Sequence, residues 1–453
     1  SGFRFSPNPN RAAEIKWKQW GKEAFEEARS SKKPVLLSLS AVWCHWCHVM
    51  DETTYSDLRI IEFINRYFVA IRVDSDMRPD IDAIYNQGGW PSTVFLSPEG
   101  VILDGGTYIP PDEMLLRLKR VLERYRNGNY RNAQTKEENT KEEPPVSAVS
   151  IGLINSIKEM LLRYHDRRYG GFGGYQKFPN PSAIDFLLDY SVTVGKDKEL
   201  DSAVKITLDG MANGEIHDKI EGGFFRYSTR RDWSAPHYEK MLETNGNMLS
   251  NYARAYRRYG DKKYLKMLDD IVRYVKNNLT GENGEFYGSQ DADEAYYKSS
   301  NRDKSNKPAV DKTVYTDRAS VMVMGLLDAY NATLDEKYLS LARRGIGFLK
   351  DKLYHPEVGV YHYYRGGKVH VSGLLRDNAL FGLASISFYN VTGKREYLEL
   401  AQELETIIYR DYLKDGKLLI TLKKPVLSQW LKGPYYHYNE RMIWYETLYF
   451  LKK

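Results

Sequence analysis

At 453 residues the chain exceeds a single ordinary domain, so we expect two or three domains. Its 66 basic and 60 acidic residues leave a net charge of only +6, which argues against a nucleic-acid-binding protein. No apolar run reaches the length of a membrane span, and Ser1-Gly2-Phe3-Arg4 does not begin a signal peptide, so we expect a cytoplasmic protein that binds no membrane.

The first 126 residues alternate helical and strand patterns, which predicts an α/β domain. The predicted elements, in chain order, are a helix over 14–31, a strand over 34–41, a helix over 57–67, a strand over 68–74, strands over 92–96 and 101–103, and a helix over 111–126. The strand over 34–41 is short, apolar and uninterrupted, as buried strands are. The last two strands should pair as a hairpin around Ser97-Pro98-Glu99-Gly100.

The two cysteines of the chain lie in one motif, Trp43-Cys44-His45-Trp46-Cys47-His48. The motif joins the strand over 34–41 to residues that can form a helix, which is the redox signature of the thioredoxin fold. Unsatisfied N–H groups and the helix dipole favour a thiolate at a helix N-terminus. We therefore predict that Cys44 is the accessible attacking thiolate and Cys47 the buried resolving thiol. Trp43 and His45 would support the site, and a protonated His45 would favour the thiolate further.

Three other interpretations of the cysteine motif remain open. Cys-X-X-Cys-His is also the attachment motif of c-type haem. Cys44, Cys47 and His48 could bind zinc, although a structural zinc site needs a fourth ligand. The two cysteines could also form an unreactive structural pair. We prefer the redox interpretation and expect neither a cofactor nor a metal.

Pro91 directly precedes the third predicted strand and follows Gly88-Gly89-Trp90. In thioredoxin-like folds a cis-proline at this place faces the cysteine pair and leaves backbone groups free to bind an extended peptide. We predict that Pro91 is cis and close to Cys44. The alternative is an ordinary trans-proline at a strand start.

Several motifs together resemble the family of the vertebrate spermatogenesis-associated thioredoxin-like protein and its microbial relatives. The motifs are Lys33-Pro34-Val35-Leu36-Leu37, Trp43 to Met50, Arg78-Pro79-Asp80-Ile81-Asp82, Gly89-Trp90-Pro91 and Pro236-His237-Tyr238-Glu239-Lys240-Met241-Leu242. The resemblance implies an N-terminal thioredoxin-like domain followed by an all-α (α/α) toroid of the six-hairpin glycosidase type. It extends to about residue 300, and at the N-terminus only Asn8-Pro9-Asn10 and Trp17 match.

The rest of the chain repeats a helix pair. One short turn motif occurs four times, at 195–200, 260–265, 334–339 and 393–398, each time between two predicted amphipathic helices. Longer glycine-aromatic segments alternate with these turns, and about ten helices are predicted where a six-hairpin ring needs twelve. We predict a thioredoxin-like domain over 1–126, a polar linker over 127–147 and a toroid over 148–453, with 296–312 as a mobile insertion.

A second site is predicted where the long loops converge, because loops held by a rigid scaffold carry function. Its candidate residues are His217, Tyr227, Trp233, His237, Glu239, Asp291, Asp293 and Asp377, with Trp233 or Tyr227 at the rim. The segments 177–179, 376–378 and 435–440 add polar and aromatic residues. Aromatic rings beside planar polar groups suit a carbohydrate.

Four interpretations of this second site remain open. Glycoside hydrolysis would use two carboxylates among Glu239, Asp291, Asp293 and Asp377. Epimerisation would use an acid and a base, for which His217 and His237 are candidates. The site could bind a sugar or peptide without catalysis. The carboxylates could also simply cap helices and brace loops.

One position departs from the family pattern. The family has Tyr-Asp-His followed by glycines, whereas this chain has His217-Asp218-Lys219-Ile220-Glu221-Gly222-Gly223. Lys219 takes the place of a histidine, which puts catalysis in the toroid in doubt. We therefore predict a thiol–disulfide oxidoreductase whose toroid binds a disulfide client or a carbohydrate. The alternatives are a carbohydrate-active enzyme with an attached redox domain and a non-catalytic binding protein.

Overall fold

A mixed four-stranded sheet forms the centre of the first unit. The computed structural model describes residues 2–130, 150–415 and 417–422. The strands are β1 (Val35–Ser40), β2 (Val69–Asp74), β3 (Ser92–Leu96) and β4 (Ile102–Gly106), in the order β2-β1-β3-β4. β1 is parallel to β2 and antiparallel to β3, and β4 returns antiparallel along β3.

Helices cover both faces of this sheet. They are α1 (Lys22–Ser31), α2 (His45–Glu52), α3 (Leu58–Tyr67), α4 (Pro79–Tyr85) and α5 (Pro111–Arg126). Every residue of β1 is buried, and two consecutive residues of this strand, Leu36 and Leu37, belong to two different core clusters. Successive side chains of a strand point to opposite faces, so this apolar strand supplies both cores.

Two helices of this unit differ from the prediction. The first was predicted from residue 14 but begins at Lys22, after Gly21, because residues 12–14 form a separate 3₁₀ turn. α4 was not predicted as a helix, although Pro79 stands at its first position, where the fixed φ of proline suits a helix start.

The second unit is an (α/α) toroid. Its helices are α6 (Ile151–Tyr164), α7 (Pro181–Thr193), α8 (Lys198–Asn213), α9 (Leu242–Tyr259), α10 (Lys262–Asn278), α11 (Glu294–Lys298), α12 (Thr316–Thr333), α13 (Glu336–Lys352), α14 (Leu375–Thr392) and α15 (Arg395–Ile407). α7, α9, α12 and α14 pack side by side in that order, and each also packs against the helix that follows it in the chain. α7, α9, α12 and α14 therefore form an inner row, and α8, α10, α13 and α15 form an outer row.

Short strands join the helix pairs on the long-loop side. They are β5 (Tyr227–Ser228), β6 (Pro236–His237), β7 (Lys240–Met241), β8 (Ser289–Gln290), β9 (Val310–Asp311), β10 (Val314–Tyr315), β11 (Tyr354–His355), β12 (Gly359–Val360), β13 (Tyr363–Arg365), β14 (Lys368–His370), β15 (Leu413–Lys414) and β16 (Lys417–Leu418). The four repeated turns lie between the members of a helix pair, as predicted. Asp197, Asp261 and Asp335 cap the helices that follow three of them.

The segment 296–312 is not the mobile insertion that we predicted. β9 pairs with β8, and Arg302 donates to the carboxylates of Asp218 and Glu221. These contacts bind the segment to the toroid.

The chain divides into two units, with residues 2–130 in the first and 150–413 in the second, while the described residues from Lys414 onward group with the first. Most of the predicted linker, 127–147, and the segment 435–440 lie outside the described residues. The domain limits and the number of helix pairs therefore stay predictions. Within the described ranges, no helix combines the length and the apolar character that crossing a bilayer requires.

Candidate functional site

Cys44 and Cys47 form a disulfide at the start of α2. Cys44 is the residue that caps this helix, and its Sγ accepts the backbone N–H of Cys47 at 3.1 Å. The free N–H groups of a helix start favour negative charge on the group that they face. The sulfur of Cys44 thus occupies the position where a thiolate would be stabilised.

Two tryptophans adjoin the disulfide and the proline loop. The Trp43 Nε1–H donates to Asp76 Oδ2 at 2.8 Å, and the Trp90 Nε1–H donates to Asp82 Oδ1 at 2.9 Å. The centroids of the two indole rings lie 5.6 Å apart, and the rings pack edge to face. The Trp90–Pro91 peptide bond is cis, as predicted. Burial raises the pKa of Asp82, and the nearby Asp76 carboxylate adds to this effect.

Both cysteines are buried in the disulfide form. Cys44 is 3 % exposed and Cys47 is 2 % exposed, so the predicted difference in accessibility is not visible in this state. Trp46, between them in the chain, is 44 % exposed and packs against Tyr108. Because both sulfurs are consumed in the disulfide, the zinc alternative lacks its thiolate ligands here.

A buried ion pair anchors α2 to the sheet. Two nitrogens of the Arg72 guanidinium donate to the two oxygens of Asp51, each at 2.9 Å, and the side chains are 4 % and 2 % exposed. The backbone N–H of Ser6 also donates to Asp51. Since Asp51 lies on the same helix as Cys47, this pair holds the redox helix in place.

In the toroid, one loop geometry occurs twice and pins two buried lysines. Lys177 donates to Asp166 and to the carbonyl of Gly170, and Lys240 donates to Asp218 and to the carbonyl of Gly222. Both lysines are 0 % exposed. Burial alone would raise the pKa of Asp218, but the cations Arg302 and Lys240 outweigh it and lower that pKa to about 2. We call the two arrangements, Lys177 with Asp166 and Lys240 with Asp218, the two lysine latches. They stabilise loops rather than bind ligand.

Three of the predicted residues come together beside the second latch. The rings of Tyr227 and His237 are stacked with their centroids 4.5 Å apart, and His237 Nδ1 lies 3.6 Å from Glu239 Oε1. Glu239 is 1 % exposed, and its Oε2 atom has no hydrogen-bond partner among the described residues. Burial alone would raise the pKa of Glu239, but His237 and Arg226 outweigh it, so the pKa is lowered. Glu239 is therefore an ionised, buried acceptor.

A second cluster contains a histidine that the sequence analysis missed. His362 Nδ1 lies 3.0 Å from both carboxylate oxygens of Asp377, and Asp317 completes a group whose ligand atoms lie within 4.8 Å of one another. Arg376 donates to Asp317 and to Glu243. Burial raises the pKa of Asp377. Because Arg376 already neutralises Asp317, the group is an ion-pair network at the N-termini of α9, α12 and α14. A histidine in a glycine-aromatic loop, Gly359 to His362, was the available signal.

Four predicted residues serve the scaffold in this structure. His217 has both ring nitrogens engaged, by the Ala212 carbonyl and by Asp270. Asp293 caps α11, and Asp291 accepts the N–H of Ala292. Trp233 is 1 % exposed and donates to the carbonyl of Tyr169, so of the two residues predicted for a pocket rim, Trp233 or Tyr227, Trp233 belongs to the core instead. Its large ring fills the space that three nearby glycines leave.

Two family profiles match the chain. Residues 8–144 match Thioredox_DsbH, described as a protein of unknown function, DUF255. Residues 222–373 match the family described as D-glucuronyl C5-epimerase C-terminus. The second match includes Tyr227, His237 and Glu239.

Two curated relatives match more than half of the chain, and a third matches about a fifth of it. Spermatogenesis-associated protein 20 of Homo sapiens is 35 % identical over 306 residues, which are 62 % of this chain and 39 % of that protein. The uncharacterized protein B0495.5 of Caenorhabditis elegans is 33 % identical over 319 residues, 65 % of this chain and 43 % of that protein. The thiol:disulfide interchange protein DsbD of Campylobacter jejuni is 28 % identical over 97 residues, 21 % of this chain and 17 % of that protein. The chain thus spans about two fifths of the length of the human and Caenorhabditis elegans relatives.

Two of the solved structures with a similar chain path are a sugar epimerase and an alpha-mannanase. A sugar epimerase from a ruminal bacterium has a TM-score of 0.49 and 17 % identity over 59 % of this chain and 74 % of its own. The GH76 alpha-mannanase BT2949 of Bacteroides thetaiotaomicron has a TM-score of 0.47 and 17 % identity over 61 % of this chain and 72 % of its own.

Proposed function

We propose that this chain, which is similar to the spermatogenesis-associated thioredoxin-like proteins, catalyses thiol–disulfide exchange through Cys44 and Cys47. The observation that carries the proposal is the Cys44 sulfur at the cap of α2, on the backbone N–H of Cys47. A helix start that favours the thiolate supplies the nucleophile of the exchange, because the thiolate and not the thiol attacks.

The exchange proceeds in two displacements. In the reduced protein the Cys44 thiolate attacks one sulfur of a client disulfide, and the second client sulfur leaves as a thiolate. The Cys47 thiolate then attacks the Cys44 sulfur and releases the client as a dithiol. Two electrons pass to the client and the protein is left with its disulfide, so a second dithiol must reduce it before the next turnover.

Single cysteine variants test this proposal. With dithiothreitol as the reductant and insulin as the client, we expect C44S to abolish the rate above the uncatalysed background. Once reduced and freed of dithiothreitol, C47S should instead accumulate a mixed disulfide with the client, visible on a non-reducing gel, because the resolving thiol is missing and no other dithiol is present to cleave it. C44S serves as its matched control, since it lacks the attacking thiol. A mixed disulfide on C44S alone, or full activity of both variants, would reject the assignment.

A second role, ligand binding by the toroid, is favoured by the unpartnered Oε2 of Glu239. A buried carboxylate oxygen without a partner costs free energy, and a ligand hydroxyl would satisfy it. The stacked rings of Tyr227 and His237 lie beside it, and Arg226 lowers the pKa of Glu239 through its charge. Glu239 and Arg226 carry opposite charges that offset each other, so together they leave little net charge to attract a charged sugar. The combination suits an uncharged carbohydrate better than a charged one.

This role can be tested with simple sugars. D-Mannose and cellobiose are the neutral probes, and D-glucuronate and D-glucosamine are the charged ones, with affinity measured by calorimetry. E239Q should weaken binding of the neutral probes about tenfold or more, since hydrogen bonds to charged groups are strong. The matched control is E399Q, on the exposed side of α15. Preference for a charged sugar, or equal affinity of both variants, would contradict this role.

A further inference from the structure

The two tryptophans next to the redox site share one unusual feature. Trp43 directly precedes Cys44, and Trp90 directly precedes Pro91, so each ring is attached to a position that the exchange needs. The two positions come from distant parts of the chain, yet the rings meet at 5.6 Å. Whatever fixes the rings therefore also fixes the cysteine cap relative to the proline loop.

The rings are fixed by two carboxylates from one short stretch after β2. Asp76 accepts the Trp43 Nε1–H at 2.8 Å, and Asp82 accepts the Trp90 Nε1–H at 2.9 Å. Asp76 is 4 % exposed and Asp82 is 8 % exposed. Burying an ionisable carboxyl costs free energy that apolar side chains would not cost. Two such groups beside one site therefore indicate that their hydrogen bonds serve a purpose there.

Each carboxylate is itself held in place. The Asp76 backbone N–H donates to Asp74, which is paired with Arg4. Asp82 lies within α4 and also accepts the Asn86 side-chain amide at 3.1 Å. A side chain that positions another must be immobilised by its own neighbours. Asp76 and Asp82 both meet this condition.

We infer that Asp76 and Asp82 are positioning residues of the redox site, which clamp Trp43 and Trp90 so that the Cys44 cap and the Pro91 loop keep their places when the disulfide is open. This inference rests on the proposed exchange activity. In the oxidised protein the disulfide itself joins Cys44 to Cys47. In the reduced protein that bond is gone, and the two clamps then add to the hydrogen bonds that hold the cap on its helix, from the Cys47 N–H to the Cys44 sulfur and from the His48 N–H to the Cys44 carbonyl.

The clamps should therefore stabilise the reduced form more than the oxidised form. Breaking one makes the disulfide harder to reduce. We expect D76L and D82L to shift the equilibrium with glutathione about tenfold toward the disulfide, which corresponds to a reduction potential about 30 mV more negative. D76N and D82N should shift it less than about threefold, because an asparagine oxygen still accepts an indole N–H.

The same bond can be broken from the tryptophan side. W43F keeps an aromatic ring but lacks the N–H, so it should reproduce the shift of D76L, and the double variant should add little to either single one. Client reduction should lose kcat with KM nearly unchanged in W43F. If a leucine variant does not fold, as judged by circular dichroism, the phenylalanine variant provides the same test.

The control is D112L, since Asp112 is exposed at the start of α5 in the same unit. If the clamp variants shift the equilibrium no more than D112L, or if W43F and D76L are fully additive, the inference is overturned while the exchange activity stands. If the unaltered protein neither equilibrates with glutathione nor reduces insulin, the proposed function itself fails. A shift toward the dithiol would overturn the assigned direction and with it the clamp.

Discussion

Removal of the Asp51 carboxylate should destabilise the redox unit severely. In the D51A variant the Arg72 guanidinium, 4 % exposed, loses both of its bonds to the carboxylate, and the Ser6 N–H loses its acceptor. Truncating one partner of a buried ion pair costs about 3–5 kcal/mol, because the other charge stays buried and unpaired.

The structure places the expected cost at the lower end of this range. The Arg72 guanidinium lies 4.6 Å from the centre of the Phe5 ring and 5.6 Å from that of Trp17, and both contacts persist in the variant. Cation–π contacts of this kind are worth about 0.5–2 kcal/mol each and keep the remaining charge partly stabilised. We therefore expect a loss near 3 kcal/mol, or more than a hundredfold in the opening equilibrium.

Hydrogen exchange measured by mass spectrometry suits a chain of two units, because each peptide reports its own free energy of opening. Amides of β1 and β2 should exchange far faster in D51A, whereas D112A, at a pair on the surface, should leave them unchanged. The double variant D51L/R72M, which leaves no buried charge, should be less damaging than D51A. If D51A exchanges like D112A, or if the double variant is worse than the single one, the reasoning about the buried charge is refuted.

Three further predictions concern pH, a helix cap and the thiols. The pKa of Asp218 is lowered from 3.8 to about 2, so the ionised carboxylate contributes on the order of 2 kcal/mol to the free energy of unfolding. This contribution is complete above about pH 4 and is lost as the pH falls toward 2. In D218N the free energy of unfolding should therefore depend less on pH in this acidic range. Leu334 has φ +57, the left-handed conformation that Gly260 adopts at an equivalent turn. Because glycine adopts this conformation without strain, L334G should raise the free energy of unfolding by about 0.5–1 kcal/mol. G260A should lower it, and thermal unfolding would measure both changes. After reduction, limiting iodoacetamide at mildly acidic pH should label Cys44 before Cys47 in a peptide map, and the opposite order would contradict their assigned roles.

Features that depend on neighbours in the sequence could be predicted from the sequence. The spacing of Cys44 and Cys47, the apolar run that became β1 and the turn repeated four times each depend on a few consecutive residues. Asp197, Asp261 and Asp335 cap helices because a carboxylate just before a helix can reach the free N–H groups of its own first turn. The resemblance to the spermatogenesis-associated family rested on such local motifs, and the family matches agree with it.

Features that depend on partners far away in the chain were decided only by the tertiary structure. The sequence around Asp76 and Asp82 does not point to Trp43 and Trp90, which lie 33 and 8 residues away and meet these carboxylates only in the folded chain. His362 gained its carboxylate partner only when the loop before α14 folded back on that helix.

The same limit explains the residues that were misjudged. Nothing near Trp233 in the sequence shows that glycines from other segments leave room for its ring, and nothing near His217 shows Asp270 across the helix pair. Whether a polar or aromatic side chain faces a ligand or braces the scaffold depends on its distant neighbours. Those neighbours are set by packing, which minimises buried unsatisfied groups over the whole fold and not within any one segment.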